Sequence, residues 1–278
     1  MFKLNSLIAA MAGITAFAAV SSAQAAETFD KLKERGEFVV CSKVDYRPFG
    51  FREADGTMVG LEHDLITDVV KRLEEKLGLT LKVERIPVIA ANRIQFLEGG
   101  KCDMLLATMT DNPDRRKSVD IIQPNYYSSG VNIFARKDVD IKAWDDISNK
   151  TICASQGAFW NKDLTQKYNL NLLTFAGIAE TELALMDGRC LALLTDDSAA
   201  AVRLSEERWS KDYELKVDTI MDASWGVAIR KENPDFREML EETVTDWHRT
   251  GFILDLEKKW NIKPTPFTQR MHEEYKNK

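Results

Sequence analysis

The sequence predicts an α/β protein built as two open lobes, each a mostly parallel sheet flanked by helices. Three observations carry this. The 278 residues are 44% hydrophobic and 29% charged, an ordinary globular composition with enough chain for two modest cores. From residue 37 onward, short apolar runs alternate with longer amphipathic stretches. At Thr151 the same alternation begins again, with no repeat of the sequence itself.

In chain order, residues 1–25 stand apart from the fold. Lys3 gives a positive start, Leu7 to Val20 is a 14-residue run without charge, and Ala23-Gln24-Ala25 is a small-x-small site. This is the pattern of a cleaved signal peptide, cut after Ala25 and too short for a membrane anchor. Phe38-Val39-Val40-Cys41 reads as a buried strand. Over 61–77, Leu65, Val69, Leu73 and Leu77 recur every four residues between charges, which predicts an amphipathic helix. Leu81 to Ile86 alternates as a strand, Ala91 to Leu97 is helical, and Met104 to Ala107 is again a buried strand. This order requires parallel strands with right-handed crossovers. The second set has strands at Thr151–Ala154, Leu172–Phe175 and Leu191–Leu194, with helices over 159–168 and 180–186. A link is expected near 126–130. On periodicity alone, the strand Gly226–Ile229 and the helices from 235 to 260 could complete either lobe.

Charge and cysteine content narrow the partners. Lys plus Arg number 38 against 44 Asp plus Glu, a net charge of −6, which argues against nucleic acid. Cysteines 41, 102, 153 and 190 all fall beyond the predicted cut, in or just before buried strands. Buried thiols are the first expectation, and bridges such as Cys41–Cys102 or Cys153–Cys190 the alternative. No spacing of Cys or His suits a metal, and no cofactor or phosphate-loop fingerprint is present. The tryptophans 144, 160, 247 and 260 read as core, Trp225 as core or cleft, and His63 as surface. The runs Glu74-Glu75-Lys76 and Lys258-Lys259 read as solvated helix faces.

Ligands of open parallel sheets bind beyond the carboxyl ends of the strands. That rule selects Lys43, Asp45 and Tyr46 after the first strand, and Thr108, Thr110 and Arg115 after the third. In the second half it selects Ser155-Gln156-Gly157 and Thr195-Asp196-Asp197. The set suits a zwitterion: Arg115 can grip a carboxylate in bidentate fashion, and Asp196 can accept from an ammonium.

Several motifs carry a family resemblance. Gly60-Leu61-Glu62-His63-Asp64-Leu65 resembles the signature of the family-three solute-binding proteins of polar amino acid ABC transporters, departing from it at His63. In order follow Asn92-Arg93-Ile94, Thr108-x-Thr110 with Arg115, Val119-Asp120, Tyr126-Tyr127-x-Ser129-Gly130, Gly188-Arg189 leading to Asp196, Gly226-Val227-Ala228, and Lys259-Trp260. Asn92-Arg93-Ile94 and Asp196-Asp197 are similar to the glutamate/aspartate-binding subset. The resemblance implies the type II periplasmic binding protein fold. Lobe one would be 26–125 plus 226–278, lobe two 131–220, and the hinge strands 126–130 and 221–225. It also implies that Arg115, with Thr110, binds an α-carboxylate, and that Asp196, beside Thr108, binds the α-ammonium. Tyr46 and Ala90 would flank the ligand side chain, and Lys43 would face it. Arg93 belongs to the same implied ligand set, as do Ser155, Gly157 and Phe159 from lobe two. Where many members carry Gly-Thr-Thr or Gly-Thr-Ser, this chain has Gly157-Ala158-Phe159, so one supporting hydroxyl is missing.

The expected function is a monomeric, periplasmic substrate-binding protein that closes on a free amino acid and delivers it to a membrane permease, without catalysis or cofactor. Glutamate or aspartate is the first ligand and a neutral polar amino acid such as glutamine the second. Lys43 has a structural alternative as a bridge to Asp45 or Glu62. A periplasmic cyclohexadienyl dehydratase, which shares this scaffold, is the enzyme alternative, with Asp197 or Glu62 as its acid. A sensory ligand-binding domain is a third reading, disfavoured because no membrane helix or kinase segment precedes Lys278.

Overall fold

The computed structural model describes residues 28–278. The predicted leader and its cut after Ala25 lie outside these residues. The chain runs through α1 (Thr28–Arg35), β1 (Glu37–Ser42), the short strands β2 (Asp45–Tyr46), β3 (Gly50–Arg52) and β4 (Met58–Val59), α2 (Leu61–Leu77), β5 (Lys82–Pro87), α3 (Arg93–Glu98), β6 (Met104–Leu106), α4 (Pro113–Ser118) and β7 (Asp120–Ile121). The long strand β8 (Tyr127–Arg136) carries it into a second body. There it forms β9 (Thr151–Ser155), α5 (Asn161–Tyr168), β10 (Asn171–Phe175), α6 (Ile178–Met186), β11 (Ala192–Asp196), α7 (Asp197–Arg203), α8 (Glu207–Ser210) and β12 (Tyr213–Leu215). Strand β13 (Ile220–Trp225) returns, and β14 (Ala228–Ile229), α9 (Pro234–Thr250), α10 (Phe252–Lys259) and α11 (Pro266–Tyr275) follow.

The two sheets share a plan. The first has the order β5-β1-β6-β14-β7, the second β10-β9-β11-β8-β12, with β13 also paired to β8. In each, three parallel strands are followed by an antiparallel one, β14 beside β6 and β8 beside β11. The fold is therefore two-lobed and α/β, with two crossings. They lie side by side as an antiparallel pair, with Tyr127 opposite Trp225 and Ser129 opposite Ala223.

Helix α2 shows how the sequence writes these elements. Leu61, Leu65, Ile66, Val69 and Leu73 are buried along one face, and Glu62 and Asp64 sit in the first turn, where negative charge suits the helix dipole. Gly78 ends it in the left-handed region (φ 68°), donating its N–H to the Glu74 carbonyl. Helices α9 and α10, ambiguous by periodicity, join the first core. Phe236, Leu240, Val244, Trp247 and Ile253 pack there with Phe38, Leu65 and Val69.

Two expectations are corrected. The cysteines are not thiols: Cys41–Cys102 and Cys153–Cys190 are disulfides, with Cα atoms 5.7 and 5.6 Å apart. The parallel neighbours β1–β6 and β9–β11 bring the residue entering the third strand beside the first strand, so burial and pairing coincide. His63 is buried, 3% exposed, and its Nε2 bonds the Lys43 carbonyl at 2.9 Å. Of the two expectations for Trp225, the core one holds: it is 1% exposed, with its ring 4.8 Å from Phe49 and 5.2 Å from Tyr127. Among the described residues, no helix is long and apolar enough to cross a membrane.

Candidate ligand-binding cleft

The carboxyl ends of β1, β6, β9 and β11 converge on a narrow cleft between the lobes. From lobe one it is lined by Lys43, Tyr46, Ala90, Arg93, Thr108 and Thr110. From lobe two come Ser155, Phe159 and Asp196, together with Ala158, Trp160, Ile178, Leu194 and Thr195. Of the last five, Thr195 was selected by the strand-end rule, and Ala158, Trp160, Ile178 and Leu194 were not singled out as ligand residues. Trp160 was read as core from its helical context. It lies immediately before α5, with its ring 5.1 Å from Phe159. Its position directly after the Gly157-Ala158-Phe159 loop was the available signal.

Two expected residues do not line the space. Arg115 is half-buried at its edge, and its Nη1 donates to the Thr110 carbonyl at 2.7 Å. Helix α4 fixes it there, because the Asn112 side chain caps the helix by accepting from the Arg115 N–H. Gly157 (φ 81°) instead forms a contact between lobes. A Cβ at that position would come within 2.7 Å of the Ala91 backbone. Only glycine combines this left-handed geometry with so close an approach.

The electrostatics are lopsided. Lys43 is 3% exposed, and among the described residues its ammonium has no hydrogen-bond acceptor; Asp45 Oδ1 is 3.8 Å away. Burial pushes its pKa down, Asp45 opposes that, and Arg93 adds to it. The buried Arg93 donates Nη1 to the Ala107 and Thr108 carbonyls, and burial together with Arg115 lowers it to about 9. Burial lowers Arg115 to about 10. Facing these cations, Asp196 accepts a hydrogen bond from the Tyr46 hydroxyl across the cleft. Burial pushes Asp196 up to about 7, which the Tyr46 bond opposes and Asp197 assists.

A support lies behind this wall. Thr108 adopts φ 46°, a costly conformation for a β-branched residue. Its N–H is held by Glu62 Oε1 at 2.5 Å, and Tyr126 donates its hydroxyl to the same oxygen. Glu62 is thus committed to the backbone. Asp197 is committed too, accepting from Ser129, Gly130, Ser198 and Thr219. Neither carboxylate lines the cleft, so the acid that a dehydratase requires is missing from both expected places.

The family model for bacterial extracellular solute-binding proteins, family 3, matches residues 38–263. A glutamate/aspartate import solute-binding protein of Escherichia coli (strain K12) is 24% identical over 248 residues, covering 87% of this chain and 82% of the relative. An ABC transporter glutamine-binding protein of Bacillus subtilis (strain 168) is 26% identical over 243 residues, covering 86% of each. Among solved structures, the cysteine-binding protein of Campylobacter jejuni aligns with a TM-score of 0.77 at 25% identity, covering 84% of this chain and 92% of its own. The match spans both sheets, both crossings and the cleft between them, and the chain belongs to the bacterial extracellular solute-binding proteins, family 3.

Proposed function

We propose that this protein is the periplasmic substrate-binding component of an amino acid ABC importer, and that its ligand is a dicarboxylic amino acid, glutamate or aspartate. The lobes would be 26–125 plus 226–278 and 131–220, hinged at 126–130 and 221–225. The α-carboxylate would lie against Arg115 and Thr110, with Arg93 adding charge from the wall. The α-ammonium would meet Asp196 and Thr108. Tyr46, Ala90, Ser155, Phe159 and the Gly157 loop would enclose the ligand, which the closed protein, as a monomer, would present to the permease.

One observation carries the choice of ligand: the buried ammonium of Lys43, facing the cleft without an acceptor of its own. Its nearest carboxylate, Asp45, stands 3.8 Å away without a hydrogen bond, so the buried cation is only partly offset, and a ligand carboxylate placed against it would offset the rest. A cationic side chain there would meet like charge in a water-poor space. The relatives that bind glutamate or aspartate point the same way.

The test is a thermal-shift screen over the twenty amino acids, followed by calorimetry on the unmodified protein and Lys43→Met. L-glutamate or L-aspartate raises the melting temperature with concentration. Lys43→Met weakens that ligand about 30-fold to several-thousand-fold, because its carboxylate loses a buried charge partner. Tight binding of arginine or lysine by the unmodified protein would overturn the assignment. Glutamine binding that is indifferent to Lys43→Met would replace it with a neutral ligand.

A further inference from the structure

Helix α6 of lobe two begins at Ile178, and the residue before it, Gly177, has no side chain with which to cap it. Its φ of −94° and ψ of 149° are the extended values of an N-cap. The missing acceptor comes from the other lobe. Asp45 of β2 reaches across, and its Oδ2 accepts the Ile178 N–H at 3.1 Å. Asp45 does not line the ligand space; it lies in a neighbouring rim pocket with Arg47, Ile178, Glu182 and Arg203. Its second oxygen is buried without a hydrogen-bond partner and lies 3.8 Å from the Lys43 ammonium. One carboxylate therefore touches the cation of the ligand site on one side and the dipole of a lobe-two helix on the other. Its neighbour in the same two-residue strand, Tyr46, makes the other side-chain bond across the cleft, to Asp196.

We propose that Asp45 is a closure latch, a helix cap delivered in trans from lobe one to α6 that holds the lobes together after the ligand has docked. The inference rests on the solute-binding reading above, in which closure over the ligand is the working step. Asp45 is a positioning residue: it touches no ligand atom and acts by stabilising the closed arrangement. A contact made only on closing stabilises the closed complex and not the encounter, so it slows release and leaves capture unchanged.

Stopped-flow kinetics with L-glutamate test this on the unmodified protein, Asp45→Ala and Asp45→Asn, each first shown to be folded by circular dichroism. Loss of the cap in Asp45→Ala speeds dissociation about 5- to 30-fold, with the association rate unchanged. Asp45→Asn keeps a carbonyl acceptor and recovers part of the loss. An unchanged dissociation rate in Asp45→Ala, or a loss carried by association, would overturn the latch. A second arm reads the contact itself. Amide exchange at Ile178, followed by NMR, slows on saturation with L-glutamate in the unmodified protein and does not slow in Asp45→Ala; equal protection in the two would overturn the latch. If the unmodified protein bound none of the twenty amino acids, the solute-binding reading would fail and the latch with it, whereas binding with no protection at Ile178 would overturn the latch alone.

Discussion

Asp196 is held near its point of ionisation, at about 7, by burial that the Tyr46 hydroxyl only partly offsets. An α-ammonium bound as proposed would pair with the ionised form, so binding would drive the proton off. The sign follows: below 7 the free site is mostly protonated, and affinity falls by up to about tenfold per pH unit as the solution is acidified. Above 7 it is flat. Calorimetry in buffers of different ionisation heat should show close to one proton released per bound L-glutamate at pH 6 and almost none at pH 8.5, with Asp196→Asn abolishing the release. Equal proton release at both pH values would remove Asp196 as the ammonium acceptor. The strand-end rule made Lys43, Thr108, Thr110 and Asp196 legible, because backbone topology alone delivers them to one place. His63 was misread because residue type does not say which way a helix turns its polar heterocycle: it faces inward and bonds Lys43. Trp160 is core, as read, and also borders the ligand space, which its residue type does not announce.

The repeated element order was legible because strands buried on both faces write continuous apolar runs, and helices covering them write a four-residue period. Elements fixed by tertiary contact left no such mark. The β2–β3–β4 ribbon has strands of two or three residues, too short to carry a period. Helix α11 was missed although Thr265 and Pro266 are start signals, because its anchor is remote. Buried Glu257 of α10 accepts from the Thr265 N–H and the Thr268 hydroxyl. The disulfides expose the shared plan better than any motif. Each joins the first strand of a lobe to the residue two places before its third strand, closing loops of 61 and 37 residues. Loop closure of that size is worth about 4 kcal/mol. The paired replacements Cys41→Ala/Cys102→Ala and Cys153→Ala/Cys190→Ala should each lower unfolding stability by about 2–5 kcal/mol in denaturant titrations. Neither bridge spans the crossings, so ligand-induced compaction should survive in both. Loss of compaction would mean that a bridge holds the cleft as well as the fold.

At the scale of the whole molecule, the contacts between the lobes are concentrated around β2 and the Gly157 loop. Strand β2 gives the Tyr46–Asp196 and Asp45–Ile178 hydrogen bonds, Gly157 approaches the backbone of Ala90 and Ala91, and Ile178, Ala199 and Val202 of lobe two pack into the apolar cluster of lobe one. In the proposed closure the two paired crossing strands would flex, and Phe49, Tyr127 and Trp225 back them as an aromatic cluster that would keep them together as the lobes moved. Such a design makes affinity a product of docking on one lobe and closing with the other, so a wedge in the seam should separate the two steps. Gly157→Val provides that wedge. Its Cβ alone would lie 2.7 Å from Ala91, against backbone that has no rotamer to yield. Each lobe should stay folded, while closing becomes unfavourable by about 3 kcal/mol and L-glutamate affinity falls about a hundredfold. Small-angle scattering should then show the unmodified protein contracting at saturating L-glutamate and Gly157→Val keeping its ligand-free radius of gyration. Local strain at a left-handed residue would lower thermal stability but leave that contraction intact, so a variant that still compacts would show that the seam at Gly157 does not limit closure.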